Sequence, residues 1–168
     1  ANIMGGERQG GSTITQQLVK NFYLNSEPTL KRKANEALMA LLLERHYSKD
    51  AILLAYINEI NLGQNGNRSV NGFGIASHFY FDKPSSELSL DQYALLVGIA
   101  KGSSYKNNKK HPNRATERRN IVLHNMLIMG KISQDEYDKA IKQPLGVVKT
   151  PTIAKPRFPD FFDVVSRE

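Results

Sequence analysis

The sequence predicts an all-α domain followed by an extended C-terminal connector. Three observations carry that prediction. Apolar residues recur every three or four positions along most of the chain, the period of a helical stripe. Hydroxyl residues suited to helix N-caps stand ahead of these runs at Ser12, Ser48, Ser89 and Ser133. No alternating run rich in Val, Ile and Thr offers a convincing strand, and no internal repeat occurs.

The elements follow in order. Gly10-Gly11-Ser12 is a breaker followed by a cap, so a first helix is expected from about Thr13 to Leu24, with Ile14, Leu18 and Phe22 as its apolar side. Pro28-Thr29 opens a longer helix to about His46, with Leu30, Ala34, Ala37, Leu38, Leu41 and Leu42 as a broad buried face. Ser48 caps a third, with Ile52, Ala55, Tyr56 and Ile60 facing in and Gly63 ending it. Residues 64–71 read as a polar loop, and Gly72 to Phe81 as a short apolar helix. Ser89-Leu90-Asp91-Gln92 is a capping box for a helix to about Lys101, stopped by Gly102. A basic, Asn-rich loop covers 103–112. Pro112-Asn113 starts a helix to Met129, ended by Gly130, and Ser133 to Glu136 is a second capping box for a helix that stops before Pro144. Prolines 144, 151, 156 and 159 then argue for an extended connector. The expected division is a domain over 1–148 and a linker over 149–168.

Composition narrows the chemistry. The 168 residues suit one domain, with 40% hydrophobic and 23% charged residues. The chain has no cysteine, which excludes disulfides, thiol nucleophiles and Cys-ligated zinc. Its longest unbroken apolar run, Tyr93 to Ala100, has eight residues, whereas a membrane-spanning helix needs roughly 20. No signal-peptide pattern is visible in the first residues. Net charge is +7, and +6 of it lies in residues 101–120, where Lys101, Lys106, Lys109, Lys110, Arg114, Arg118 and Arg119 face only Glu117. Such a patch fits an anionic partner or a solvated basic loop.

Local chemistry leaves alternatives open. Thr13, Gln17 and Lys20 fall on one stripe of the first helix, with Gln16 and Asn21 beside it. A hydroxyl, amides and an ammonium can hydrogen-bond a sugar or a phosphate, but on spacing alone an ordinary solvated face is the favoured reading. In the second helix Arg32 and Glu36 are spaced i, i+4, and Lys33 and Glu36 are spaced i, i+3. By periodicity alone this is a surface ion pair worth a few tenths of a kcal/mol. The alternative is phosphate binding by Arg32 and Lys33, with Glu36 orienting them or holding a divalent cation. His46, His78, His111 and His124 show no ligand spacing, and no GxSxG, HExxH, P-loop or GxGxxG pattern occurs.

An ordered set of strings goes further. Gly10-Gly11-Ser12-Thr13-Ile14-Thr15-Gln16-Gln17-Leu18-Val19-Lys20-Asn21 resembles the second conserved block of the peptidoglycan glycosyltransferases (glycosyltransferase family 51). Arg32-Lys33-Ala34-Asn35-Glu36 resembles the third block, RKxxE. Lys49 through Tyr56-Ile57-Asn58 to Gly63 resembles the fourth, and Gly72 through Ala76-Ser77 to Tyr80-Phe81 and Lys83 resembles the fifth. Ser48-Lys49-Asp50 and Leu96 to Gly102 are similar to strings of the class A penicillin-binding proteins of the 1b type. The resemblance spans residue 10 to about 148.

What the resemblance implies is specific. The fold would be lysozyme-like, with a membrane-dipping jaw beside a cleft. The activity would be polymerisation of lipid II onto a nascent glycan strand, by attack of an acceptor 4-hydroxyl on the donor's C1 with inversion and departure of undecaprenyl diphosphate. Lys20, Arg32 and Lys33 match diphosphate-binding positions; Thr13, Gln16, Gln17 and Asn21 match the donor side of the cleft, and Asn58 and Lys101 further substrate contacts. Glu36 matches the assisting carboxylate, acting directly or through Mg or Mn. Partners would be the membrane surface and a transpeptidase domain of the same parent chain, at the periplasmic face of the inner membrane, with an anchor outside this chain.

Departures shape the expectation. The family's general base is a Glu in an earlier block, EDxxFxxHxG, and only nine residues precede Gly10, with Glu7 their sole carboxylate in an ill-fitting setting. General-base catalysis typically contributes ~100- to 10,000-fold, so these residues alone are expected to be nearly inactive. Asp82 stands where the fifth block usually has Gly, and Pro28 where some relatives carry Arg. The rival reading is a non-catalytic module that binds lipid II or nucleic acid: for the latter, residues 113–142 could imitate a DNA-binding helix-turn-helix with Arg114, Arg118 and Arg119 on its first helix. Asp135, Glu136 and Asp138 on the second helix would repel a duplex, so no nucleic-acid partner is expected.

Overall fold

The structure is a computed structural model that describes residues 13–23, 29–66, 68–100 and 112–148. It bears out the helical class: among the described residues seven α-helices accompany one two-stranded sheet. The chain divides into two compact units, one ending at Ile60 and the other starting at Asn61.

The first unit holds three helices. Helix α1 (Ile14–Tyr23) starts one residue later than expected, with Thr13 and not Ser12 ahead of its first turn. Thr13 Oγ1 accepts from Gln16 N at 3.1 Å, and Gln16 Oε1 accepts from Thr13 N at 3.3 Å, a reciprocal cap. Helix α2 (Leu30–His46) is capped by Thr29, whose hydroxyl accepts from Arg32 N at 3.1 Å. Helix α3 (Lys49–Glu59) is capped by Ser48 as expected, at 3.2 Å from Ala51 N. Helix α1 packs on α2 and α3.

The faces are the main correction in this unit. On α1 the buried residues are Thr15, Leu18 and Val19, while Ile14 and Phe22 are exposed. On α2 the buried residues are Glu36 and Ala40. Its apolar stripe lies outward: Leu30, Leu38 and Leu41 are 92%, 59% and 65% exposed, and Leu42, Ala34 and Ala37 are exposed too. Periodicity marks a stripe as apolar but does not name the medium that covers it. On α3, Ile52 is buried, Ala55 and Tyr56 are half-buried, and Leu53 and Leu54 are exposed. The helix ends at Glu59, ahead of the expected stop at Gly63.

The second unit opens with a hairpin where a polar loop was expected. Strand β1 (Asn61–Asn65) pairs antiparallel with β2 (Arg68–Asn71), with Asn65 opposite Arg68 and an irregularity between Asn61 and Gly63. Gly66 turns the chain at φ +58°, a conformation that suits a two-residue hairpin turn. Helix α4 (Phe73–Phe81) follows and ends at Asp82, which sits in the left-handed region at φ 55°, ψ 35°. That geometry accounts for the glycine usual at this point of the block, since Asp is among the few other residues that adopt it readily.

After a 3₁₀ turn at Ser85–Glu87 come α5 (Leu90–Ala100), α6 (Pro112–Ile128) and α7 (Gln134–Ile141). The expected box at Ser89 forms by half. Ser89 N donates to Gln92 Oε1 at 3.1 Å, but the Ser89 hydroxyl donates to Asp91 Oδ1 at 2.7 Å. The box at Ser133 and Glu136 forms completely. Helices α5 and α6 approach closely at Gly98, where a Cβ would stand 3.0 Å from Arg118 Cγ. Ala94, Leu123 and Ala140 join the three helices in one core, with Leu90, Val122, Ile132, Tyr137 and Ile141 around it. Residues 144–148 carry no regular structure and return to α4, where Val148 N donates to Tyr80 O at 2.8 Å. The basic loop and the linker over 149–168 lie outside the described residues.

Candidate functional site

Helix α2 begins the site. Its Thr29 cap places Arg32, Lys33 and Glu36 in the first two turns, where i, i+3 and i, i+4 spacing brings them onto one side. Glu36 is 1% exposed, so its carboxylate has lost most of its water. It is compensated from its own helix: Lys33 Nζ lies 2.6 Å from Oε2, and Arg32 Nε lies 3.3 Å from Oε1. A buried carboxylate persists when cations and hydrogen bonds replace water. The surface-pair reading therefore fails for Glu36, although Lys33 itself stays half exposed. Arg32 and Lys33 are cations of the kind that binds carboxylate and phosphate groups.

Helix α1 supplies the second set. Thr13, Gln17 and Lys20 share the expected stripe; Lys20 is exposed in the last turn, and Asn21 beside it is exposed. Thr13 and Gln16 cap each other. Gln17 is half-buried, and its Oε1 accepts a hydrogen bond from Tyr56 Oη on α3 at 3.2 Å. Thr15 Oγ1 donates to Glu44 Oε1 on α2 at 2.6 Å. These two bonds hold α1 to both neighbouring helices, and local patterns did not signal either. Burial of Tyr56 raises its pKa above the ordinary value, which keeps the hydroxyl protonated and a donor. Asn58 lies near the end of α3 and is exposed, and Lys101 lies outside the described residues.

In the second unit the rival helix-turn-helix loses its key cation. Arg119 is 1% exposed and points into the protein. Nη1 donates to Gln143 O at 2.6 Å, Nη2 to Ile141 O at 3.0 Å and Nε to Asn120 Oδ1 at 3.1 Å. It satisfies carbonyls at the end of α7 and is withdrawn from any duplex. Burial lowers its pKa, and the charge of Asp91, itself buried, opposes that shift.

Comparison with known proteins agrees with the geometry. Residues 1–127 match the family described as Transglycosylase. The chain belongs to the transglycosylase family. It is 51% identical to penicillin-binding protein 1B of Vibrio cholerae over 99% of this chain and 22% of that protein. It is 48% identical to penicillin-binding protein 1B of Escherichia coli, over the whole of this chain and 20% of that protein. The 2.6 Å crystal structure of penicillin-binding protein 1A from Haemophilus influenzae matches 92% of the transglycosylase chain and 19% of its own, with a TM-score of 0.50 and 26% identity. The transglycosylase chain thus spans about a fifth of the length of these relatives.

Proposed function

We propose that this chain polymerises peptidoglycan glycan strands from lipid II within its parent protein. The observation that carries the reading is the Arg32–Lys33–Glu36 cluster, with its carboxylate buried and its cations in place on α2 of a transglycosylase-family chain. In the reaction a bond forms between the acceptor's 4-oxygen and the donor's C1. The bond from C1 to the diphosphate oxygen breaks, and its electron pair leaves with the undecaprenyl diphosphate. Negative charge grows on that oxygen in the transition state, so fixed cations there stabilise the transition state more than the ground state. Arg32, Lys33 and Lys20 take that role, and Glu36 holds Arg32 and Lys33 in position. Thr13, Gln16, Gln17, Asn21 and Asn58 face the sugars and Lys101 adds a cleft contact. The acceptor's proton passes to a general base, which we assign to none of the described residues.

A divalent cation does not fit Glu36 as it stands. Each of its oxygens faces a cation, and among the described residues no group of three or more His, Cys, Asp or Glu side chains could hold a metal. Turnover is therefore read without a metal step.

The exposed leucines of α2 and α3 support a membrane surface as partner. Leu38, Leu41 and Leu42 on α2, with Leu53 and Leu54 on α3, leave apolar area in water that an acyl boundary would cover. Among the described residues no helix is long and apolar enough to cross a membrane. The place of action is the periplasmic face of the inner membrane, in a parent that also carries a transpeptidase domain. The test is polymerisation of labelled lipid II by the complete reading frame. Glycan ladders that vanish in Glu36→Gln support the reading; unchanged ladders refute it.

A further inference from the structure

Glu44 stands outside the charged cluster, yet it holds the helix that carries Lys20. Thr15 is 6% exposed on the inner side of α1, and its hydroxyl donates to Glu44 Oε1 at 2.6 Å. A helical threonine can turn its hydroxyl back to its own backbone; Thr15 gives its proton to α2 instead. An ionised carboxylate accepts and does not donate, and a hydrogen bond to it is roughly twice as strong as a neutral one. Chain connectivity sets the sense of the helix pair. Thr15 lies in the first turn of α1 and Glu44 in the last turn of α2. Were the helices parallel, Tyr23 and Leu30 would stand about 33 Å apart along the axis, farther than the roughly 25 Å that the chain between them can span. The helices therefore run in opposed senses from the tie, and the Lys20 end of α1 lies toward the Arg32 and Lys33 end of α2. Leu18 and Val19, buried beside Thr15, hold α1 down without direction; the hydrogen bond adds the direction. We propose that Glu44 is a positioning residue for glycosyl transfer: by accepting from Thr15 it fixes how far α1 sits along α2, and so the offset of Lys20 from Arg32 and Lys33. This rests on the reading of Lys20 as a diphosphate contact. A diphosphate is a short ligand, and cations on two helices meet it together over a narrow range of offsets. A misplacement of about 1 Å can cost about 100-fold in rate.

The experiment is a pair of double-mutant cycles in the complete reading frame, Glu44→Ala with Thr15→Val and Glu44→Ala with Lys20→Ala. Each variant is read by kcat and KM for lipid II and by a far-ultraviolet circular dichroism melt. Glu44 is exposed, so Glu44→Ala is expected to fold and to lower kcat by about 10- to 100-fold, with a smaller change in KM. Thr15→Val should lower kcat alike, and the pair no further than either alone. Glu44→Gln and Thr15→Ser keep an acceptor and a hydroxyl, and should recover most of the rate. Once Lys20 is Ala, Glu44→Ala should have no further effect on kcat, a dependence that a general loss of stability would not produce. Should Glu44→Ala melt below the assay temperature, Thr15→Val and Glu44→Asp, which draws the carboxylate back by one methylene, decide the matter. If Lys20→Ala turns over normally, the reading of Lys20 as a diphosphate contact falls and the proposal with it. If Lys20→Ala is impaired but Glu44→Ala is normal, or if its effect is undiminished on top of Lys20→Ala, the positioning role alone is overturned.

Discussion

Lys33 Nζ lies 2.6 Å from Glu36 Oε2, one helical turn along α2, and the carboxylate it meets is almost wholly buried. The pair couples charge to structure. Lys33 reaches solvent while its partner does not, so the proposed function would bring an anionic substrate to the same ammonium that neutralises Glu36.

Lys33→Ala removes the exposed member and leaves Glu36 with Arg32. Losing one donor aimed at transition-state charge typically costs 100- to 1,000-fold, about 2.7–4 kcal/mol. The expected outcome is a fall in kcat for lipid II of at least about 100-fold, with a far-ultraviolet spectrum like that of the parent. Turnover within twofold of the parent would leave the pair a helix ion pair and no more.

Arg119 is the joint of the second unit. Arg119→Met deletes the donors to Ile141 O and Gln143 O and leaves both carbonyls without them. Leaving such acceptors unsatisfied costs about 1–3 kcal/mol. The change should appear as a lower urea midpoint for loss of helical signal. Arg119→Lys should restore only part, because a point charge does not reproduce a fork between two carbonyls. A Met variant as stable as the parent would contradict the joint.

Tyr80 predicts the alkaline limb. Its hydroxyl donates to Leu62 O at 2.7 Å, the ring packs edge-on to Phe79, and burial pushes its pKa up from 10.0 to about 12. Between those values the folded chain keeps a proton that the unfolded chain gives up. The contribution is therefore fully present below pH 10 and is lost as pH rises toward 12. Urea midpoints measured from pH 9 to 12 should fall through this window, and Tyr80→Phe should remove that part of the slope at a cost of about 1 kcal/mol at neutral pH. An identical slope in the variant would assign it elsewhere.

Much of the helical order was legible because hydroxyl caps are local signals. Ser48 and Ser133 sit where their side chains accept from the third residue onward, within reach of a sequence pattern. The hairpin was not legible, because its Asn- and Gln-bearing strands lack β-branched alternation; only the Asn65-Gly66-Asn67 run signalled a turn. The outward leucines of α2 break the expectation for a physical reason: a stripe against a protein core and a stripe left exposed have the same period. In the site, the spacing of Arg32, Lys33 and Glu36 was plain, but the burial of Glu36 depends on tertiary packing. Thr15–Glu44 and Gln17–Tyr56 join residues 29 and 39 apart and leave no local trace.

The most direct test of cationic stabilisation concerns Lys20, which stands on the neighbouring helix and is exposed. The measurement is kcat and KM for lipid II in Lys20→Ala, in the complete reading frame, beside a thermal melt. An interaction made in the transition state lowers kcat, whereas one made equally in both states raises KM alone. The account predicts a kcat lower by about 100-fold or more with an unchanged melt. A Lys20→Ala protein that polymerises at the parental rate would contradict it.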